Sequence, residues 1–302
     1  MTAPGARSNH PGASAGRGGP VVIRREAHAK LNVFLRVIGA RDDGYHELES
    51  LVLPISLADR VTVRTADSLT VTVKGAKDLT GDVPTGGLNL ALVAALAVAD
   101  VCEQAGGARI EIVKRIPVAA GLGGGSADAA ATLSALNELW GCRLDAPTLA
   151  DLGARIGSDV PALLAGGPVL MYGRGDMIAP APVSRLWWVV VSFDFGVRSP
   201  DAYRWWDEDR GRAGPDPELL LAAAAAGDAE TLGPLLFNDL EPPVFARYPR
   251  IAEAKRRLLE AGTLGAVMSG SGSSVAGLAR NQAHAKALAK AIPGAIVSAG
   301  PP

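Results

Sequence analysis

PVAAGLGGGSADAAATLSALNELW, residues 117–140, is the stretch on which the reading of this chain turns. Arg109 to Ile116 alternates as a strand does and delivers the chain to Pro117. Gly121, Gly123, Gly124 and Gly125 follow. Ala129, Leu133, Leu136 and Trp140 then recur at steps of three and four, one face of a helix that Gly141 ends. Strand, glycine loop and helix start make a place for phosphate. Glycines reach backbone angles that turn successive N–H groups toward one anion. A helix opening near Ser126 adds unpaired N–H groups and the positive end of its dipole. The loop is not a Walker A motif, because no Lys-Ser or Lys-Thr follows the last glycine. It is not a dinucleotide fingerprint either, because Ser126 stands where the third glycine belongs.

Composition bounds what surrounds this loop. The 302 residues are 48% hydrophobic and 20% charged, enough for one large or two ordinary globular domains. A net charge of −1 argues against nucleic-acid binding by bulk electrostatics. Only two cysteines occur, Cys102 and Cys142, without metal spacing; they read as two buried free thiols in a reducing cytoplasm. No apolar run is long enough to span a bilayer, and Leu88 to Ala99 is interrupted by Asn89. The first twenty residues hold five glycines, three prolines and no acid, and read as a disordered extension.

Val21 to Arg24 and Leu31 to Ile38 read as strands. Lys30 and Asn32, two apart, share one face, either as a solvated edge or as donors for an oxyanion or hydroxyl. Arg41-Asp42-Asp43-Gly44 is a turn, and Tyr45-His46 after it is either a locally packed hairpin tip or a pair placed to stack on and bond a planar ring. Leu51 to Leu57 is a strand, and Arg60 to Thr65 and Leu69 to Lys74 are expected to form a hairpin. Leu88 to Cys102 reads as a buried helix with Asn89 in its first turn, where an amide is most often a cap. Pro147 to Ile156 is a helix stopped by Gly157. Pro161 then puts Asp159 at or just before another helix start. Pro168 to Tyr172 and Trp187 to Phe193 are strands, the second apolar on both faces and so central. Tyr203, Trp205 and Trp206 fall in a charged, turn-rich segment. Helices Glu218 to Ala226, Pro249 to Ala261 and Gln282 to Ala291 and strands Gly265 to Ser269, Val275 to Ala279 and Ala295 to Ala299 complete the chain.

Pro117-x-x-x-Gly-Leu-Gly-Gly-Gly-Ser-Ala resembles the ATP-binding signature of the GHMP kinase superfamily, and Gly270-Ser271-Gly272 resembles its C-terminal glycine motif. Ala29-Lys30-Leu31-Asn32, Asp43-Gly44-Tyr45-His46, Gly157-Ser158-Asp159-Val160-Pro161 and Asn238-Asp239-Leu240-Glu241 follow in an order that resembles the branch whose alcohol substrate carries a cytidyl group, in non-mevalonate isoprenoid biosynthesis. The resemblance runs from about Val22 to the C-terminus. It implies an α+β, two-domain GHMP kinase architecture with ATP at the junction. A ribosomal-S5-like N-terminal domain would span 21–180 and a ferredoxin-like C-terminal domain 181–302, after the tail 1–20. It implies transfer of the γ-phosphoryl of ATP to the substrate's 2-hydroxyl, with Asp159 as general base and Lys30 beside it. An acid at a helix start next to a lysine is stabilised as the anion, so it would take the proton late. The resemblance assigns ATP to Pro117, Ala119, Ala120, Gly121, Leu122, Gly123, Gly124, Gly125, Ser126, Ala127 and Asn89. The substrate falls to Asn32, Tyr45, His46, Tyr203, Gly270, Ser271 and Gly272. Mg²⁺ is implied with ATP, and no residue is assigned to it. Asp128 stands where the family can have an amide, either to approach Mg²⁺ or simply to occupy a first helical turn that suits an acid. The implied protein is a cytoplasmic monomer or homodimer with a small-molecule cytidyl substrate and neither nucleic-acid nor membrane partners. Two other readings stay open: a homoserine- or mevalonate-type kinase, and a non-catalytic sensor on the same fold. A sensor should lose the base, and Asp159 and Lys30 are both present.

Overall fold

The computed structural model describes residues 21–75, 88–209 and 211–302, so the expected disordered tail lies outside the described residues. Two very long strands, β1 (Val22–Ala40) and β2 (His46–Thr65), form an antiparallel pair that is the spine of the first sheet. The sequence pattern divides each of them in two, because Lys30, Asn32 and Asp59 interrupt the apolar run. The ladder nevertheless continues through register shifts at His28/Lys30 and Asn32/Phe34. Such irregularities re-aim side chains without ending a strand, and these two bracket Lys30 and Asn32.

Strand β2 carries two further partners on its other side. β5 (Val169–Gly173) pairs with its first part, and β4 (Ala108–Val113) with Arg60–Thr65. β3 (Thr70–Lys74) runs parallel to β4 instead of folding back on β2, so the expected hairpin does not form. The alternating patterns were correct, but a later strand wedges between the two. β6 (Met177–Pro180) closes on β5.

Helices α1 (Leu90–Val101) and α2 (Gly124–Trp140) pack side by side over this sheet. Their buried residues include many small ones, Ala91, Ala94 and Ala95 on one and Ala127, Ala130, Ala131 and Ala135 on the other. Small side chains let the axes approach closely. Beyond α2 come α3 (Ala146–Ile156) and α4 (Asp159–Leu164). Cys102, just past α1, and Cys142, just past α2, form a disulfide. This corrects the free-thiol reading: spacing along the chain gives no sign that two neighbouring helices end side by side.

The second sheet has the order β11 (Ile296–Gly300), β7 (Leu186–Val191), β10 (Val275–Ala279), β9 (Gly265–Met268), with antiparallel neighbours throughout. β7 is an inner strand, as its two apolar faces predict. α9 (Pro249–Glu260) and α10 (Gln282–Ala291) pack on this sheet. Four more helices, α5 (Ser199–Glu208), α6 (Glu218–Ala226), α7 (Ala229–Leu232) and α8 (Glu241–Arg247), connect its strands. α5 replaces the expected turn-rich segment: its charges face solvent, and Ala202 and Trp206, four apart, are buried.

The two sheets are tied directly. The two-residue strand β8 (Phe237–Asn238) adds parallel to β1 at Phe34 and Leu35. Leu57 N–H donates to Ser298 Oγ at 3.1 Å, and Ala299 N–H to Ser56 Oγ at 2.9 Å. The main core, under α1 and α2, runs on into Trp188, Val267 and Leu278 of the second sheet.

Candidate active site

The glycine loop is held between the two sheets. Gly121 and Gly123 have φ of +75° and +69°, a region that side chains other than glycine's enter at a cost. Contact forbids a side chain at Gly121 as well: a Cβ there would collide with the Ser269 carbonyl oxygen. Ser269 Oγ donates to the Gly121 carbonyl at 3.0 Å, Ser274 N–H to that of Ala120 at 2.9 Å, and Lys30 N–H to that of Leu122 at 3.0 Å. Asn238, from the Asn-Asp-Leu-Glu connector, secures the second glycine turn by donating from Nδ2 to the carbonyls of Met268 and Gly270, at 2.8 and 2.7 Å. The loop after β4 and the turn after β9 are thus one unit, built by residues far apart in sequence.

Two clefts flank that unit. The first, of ≈ 330 Å³, is lined by Leu88–Leu90, Lys114, Pro117–Gly121, Gly123–Ser126 and Asp128. It takes in the sequence-predicted Pro117, Ala119, Ala120, Gly121, Gly123, Gly124, Gly125, Ser126 and Asn89. Leu122 and Ala127 point into the core. Asn89 is the N-cap of α1, its Oδ1 accepting from Ala91 N–H at 3.0 Å, and it lines this cleft as well.

The second cleft, of ≈ 550 Å³, holds Lys30, Asn32, Tyr45, His46, Asp159, Tyr203, Gly270 and Ser271, and it shares Gly121, Gly123 and Ser126 with the first. Gly272 faces Met268 and Ile251 instead. Lys30 and Asn32 do share one face: Lys30 Nζ donates to Asn32 Oδ1 at 2.7 Å, and Asn32 Nδ2 donates to Ser50 Oγ at 2.8 Å. Ser50 Oγ in turn donates to the Phe34 carbonyl. Lys30 Nζ stands 3.4 Å from Asp159 Oδ2, with the lysine side chain 5% and the aspartate 29% exposed. A Cβ built on Gly123 would lie 3.5 Å from that same carboxylate oxygen. The carboxylate, the ammonium and the glycine loop therefore converge on one point.

The residues expected to form a ring-binding wall differ in detail from expectation. Tyr45 is 56% exposed, with the Arg174 guanidinium 5.3 Å from its ring centroid. His46 stacks on Tyr203, centroids 4.9 Å apart, and its Nε2 meets both oxygens of Asp207 at 3.0 and 3.1 Å. Burial first, and the Asp159 charge second, raise the Tyr203 hydroxyl above its ordinary value, so it stays a neutral donor. Arg174 and Asp207 were not singled out by sequence. Asp207 follows Tyr203 by one helical turn, a signal that appears only once Ser199–Glu208 is read as a helix.

Under the first cleft lies a buried charge cluster that the sequence also left unassembled. Lys114 Nζ pairs with Asp59 and, at 2.8 Å, with Asp128 Oδ2. Asp59 Oδ1 accepts the backbone N–H groups of Arg115 and Ile116, fixing the chain just before Pro117. Burial pushes the Asp128 carboxyl up to about 7, with Lys114 opposing and Asp59 adding to the rise. Burial also works against the Lys114 charge, but the two carboxylates outweigh it and raise that pKa. The ordinary value for Asp128 is 3.8, so between there and about 7 the folded protein keeps a proton that the unfolded chain has released. Its stabilising share is complete below the lower value and is lost as the pH rises through the upper one. Asp128→Asn should remove this dependence. Thermal melts between about pH 5 and pH 8 would show it as a flatter profile for the variant, and parallel profiles for both proteins would refute it.

Residues 89–167 match the GHMP kinases N terminal domain and residues 220–297 the GHMP kinases C terminal domain. The chain is 43% identical over 256 residues to the 4-diphosphocytidyl-2-C-methyl-D-erythritol kinase of Symbiobacterium thermophilum, covering 84% of this chain and 89% of that protein. A crystal structure of 4-(cytidine 5'-diphospho)-2C-methyl-D-erythritol kinase superposes with a TM-score of 0.79 at 38% identity, over 92% of this chain and 99% of the other. Homoserine kinase from Cytophaga hutchinsonii superposes with a TM-score of 0.70 at 22% identity, covering 97% of each chain, a likeness of fold alone. No helix among the described residues is long and apolar enough to cross a membrane.

Proposed function

The chain belongs to the 4-diphosphocytidyl-2-C-methyl-D-erythritol kinases of the GHMP kinase family, and from that premise we propose that it transfers the γ-phosphoryl of ATP to the 2-hydroxyl of that cytidyl compound, a step of the non-mevalonate route to isoprenoids. One observation carries the reading: the two clefts meet at Gly121, Gly123 and Ser126, with Lys30 and Asp159 on the acceptor side of the meeting point.

The donor's phosphates would lie on the N–H groups of the glycine loop and the start of α2, where the helix dipole favours negative charge. Phosphoryl transfer has a loose transition state, so positioning and charge neutralisation supply most of the rate. Asp159 accepts the proton of the attacking hydroxyl. Lys30, fixed by Asn32 and in reach of Asp159, orients that hydroxyl and offsets the charge that develops. ATP is expected with Mg²⁺, which neutralises charge on the phosphates. Mg²⁺ beside a nucleotide is held mostly by phosphates and water, with one or two protein groups, and no residue is assigned to it.

His46 and Tyr203, with Tyr45 at the rim, would receive the cytosine ring. Every residue named here comes from one chain, so we propose that one copy holds a complete site, whether monomer or homodimer. The domain division at about 180/181 belongs to this reading too. The cytoplasmic setting loses the support of free cysteines; it rests on the use of ATP and a nucleotide-linked metabolite. The deciding assay is ATP turnover with the cytidyl substrate against homoserine and mevalonate, and a preference for either of the latter would sink the assignment. Base-on-aromatic stacking contributes about 1–3 kcal/mol, so Tyr45→Ala should raise KM for the cytidyl substrate roughly tenfold and leave that for ATP unchanged. If both constants rose together, the stacking role would be wrong.

A further inference from the structure

Ser50 interrupts an apolar row. Its neighbours on the same face of β2 are Leu48 and Val52, and Met171 stands opposite it on β5. Those three belong to one buried apolar cluster, and Ser50 is itself fully buried. An alanine would suit such a place, whereas a buried hydroxyl is costly unless it is bonded.

The bonds that Ser50 makes lead to Lys30. Its Oγ donates to the Phe34 carbonyl and accepts from Asn32 Nδ2, and Asn32 Oδ1 accepts from Lys30 Nζ. A carbonyl can only accept and an ammonium can only donate. The chain between them therefore runs in a single direction, because turning the Asn32 amide over would set its nitrogen against the ammonium. Lys30, Asn32 and Ser50 are all buried, so these bonds and not water fix the arrangement. Ser50 borders the second cleft and not the first.

We propose that Ser50 is a positioning residue for phosphoryl transfer: it holds the Asn32 amide in the orientation that offers Oδ1 to Lys30, and so fixes where the ammonium points. The proposal rests on the part given to Lys30 above. The ammonium has three N–H groups. One goes to Asn32 and a second is in reach of Asp159, 3.4 Å away, which leaves the third for the reacting hydroxyl. Without the serine oxygen, the nitrogen end of the amide has no acceptor and the amide swings. The ammonium then loses Asn32 and closes on Asp159, tying up the carboxylate that takes the proton.

Ser50→Ala should lower kcat about tenfold, the effect of leaving one buried polar group unpaired, with KM for ATP unchanged. A looser strand could also slow the enzyme, so the deciding comparison is a double-mutant cycle with Lys30→Met, read in kcat. If Ser50 acts through the ammonium, removing it should cost less than about twofold once the ammonium is gone, which is within the additivity error of such cycles. A serine with only a structural part would cost the same factor in both backgrounds. Ser50→Thr, which keeps the hydroxyl, should recover most of the lost kcat. Equal factors in both backgrounds would overturn the role of Ser50, and so would a Ser50→Ala kcat equal to wild type or a Ser50→Thr kcat as low as that of Ser50→Ala. A Lys30→Met kcat near wild type would instead overturn the part given to Lys30, and this proposal with it. Should the alanine variant not fold, Ser50→Cys, close in shape but a weak donor and acceptor, carries the same cycle.

Discussion

Asp159→Asn is expected to lower kcat between about 10²- and 10⁴-fold, the range set by loss of a positioned proton acceptor, while ATP affinity stays near that of the unchanged protein. The carboxylate begins α4, behind Gly157 and Ser158, and Pro161 fixes the turn that follows. Asp159 lines the second cleft only, so its replacement should leave the first cleft, proposed for the nucleotide, intact. The amide is close in size and keeps a hydrogen bond to the substrate hydroxyl, but it takes no proton at neutral pH. Steady-state kinetics with both substrates varied, together with nucleotide titration, would test this. Activity equal to wild type would refute the assigned role, and loss of ATP binding in proportion to kcat would point to a structural defect.

Lys30→Met should cost about 10²–10³-fold in kcat, the scale seen when one charge-stabilising donor is removed from a water-excluded site. Methionine retains the apolar stem, which lies against the glycine loop: a Cβ on Gly123 would approach Lys30 Cγ to 3.0 Å. What disappears is the ammonium that donates to Asn32 Oδ1 at 2.7 Å and stands 3.4 Å from Asp159. Arginine should not restore activity, because its planar fork cannot take the place of a compact ammonium held between Asn32 Oδ1 and Asp159. Retention of a third or more of the wild-type kcat by Lys30→Met would exclude a direct part for the ammonium in transfer.

Parts of this site were legible in the chain and parts were not. The glycine loop was legible because strand, turn and helix start are consecutive and each follows local rules. Lys30 and Asn32 were legible as a pair because a strand puts alternate residues on one face. The helical starts near Asp159 and Ser126 were set by Pro161 and the glycines. By contrast, the acidic and basic residues of Ser199–Glu208 hid a helix, and with it the bond from Asp207 to His46. The hairpin expected between β2 and β3 failed because β4, far later in sequence, offers both of them a better neighbour. The disulfide escaped for a related reason, since packing of α1 against α2 decides which cysteines meet.

By itself, the sequence determined the strand end, glycine turns and helix start of 117–140, because those depend on backbone angles and residue periods within a few turns of chain. Only the tertiary structure decided what that loop is packed against. It seats Gly121 against Ser269 and brings Lys30 from β1 to Asp159 on α4. It also buries Asp128 against Lys114 and Asp59. These arrangements depend on distances across two sheets, which only packing of the whole chain can set.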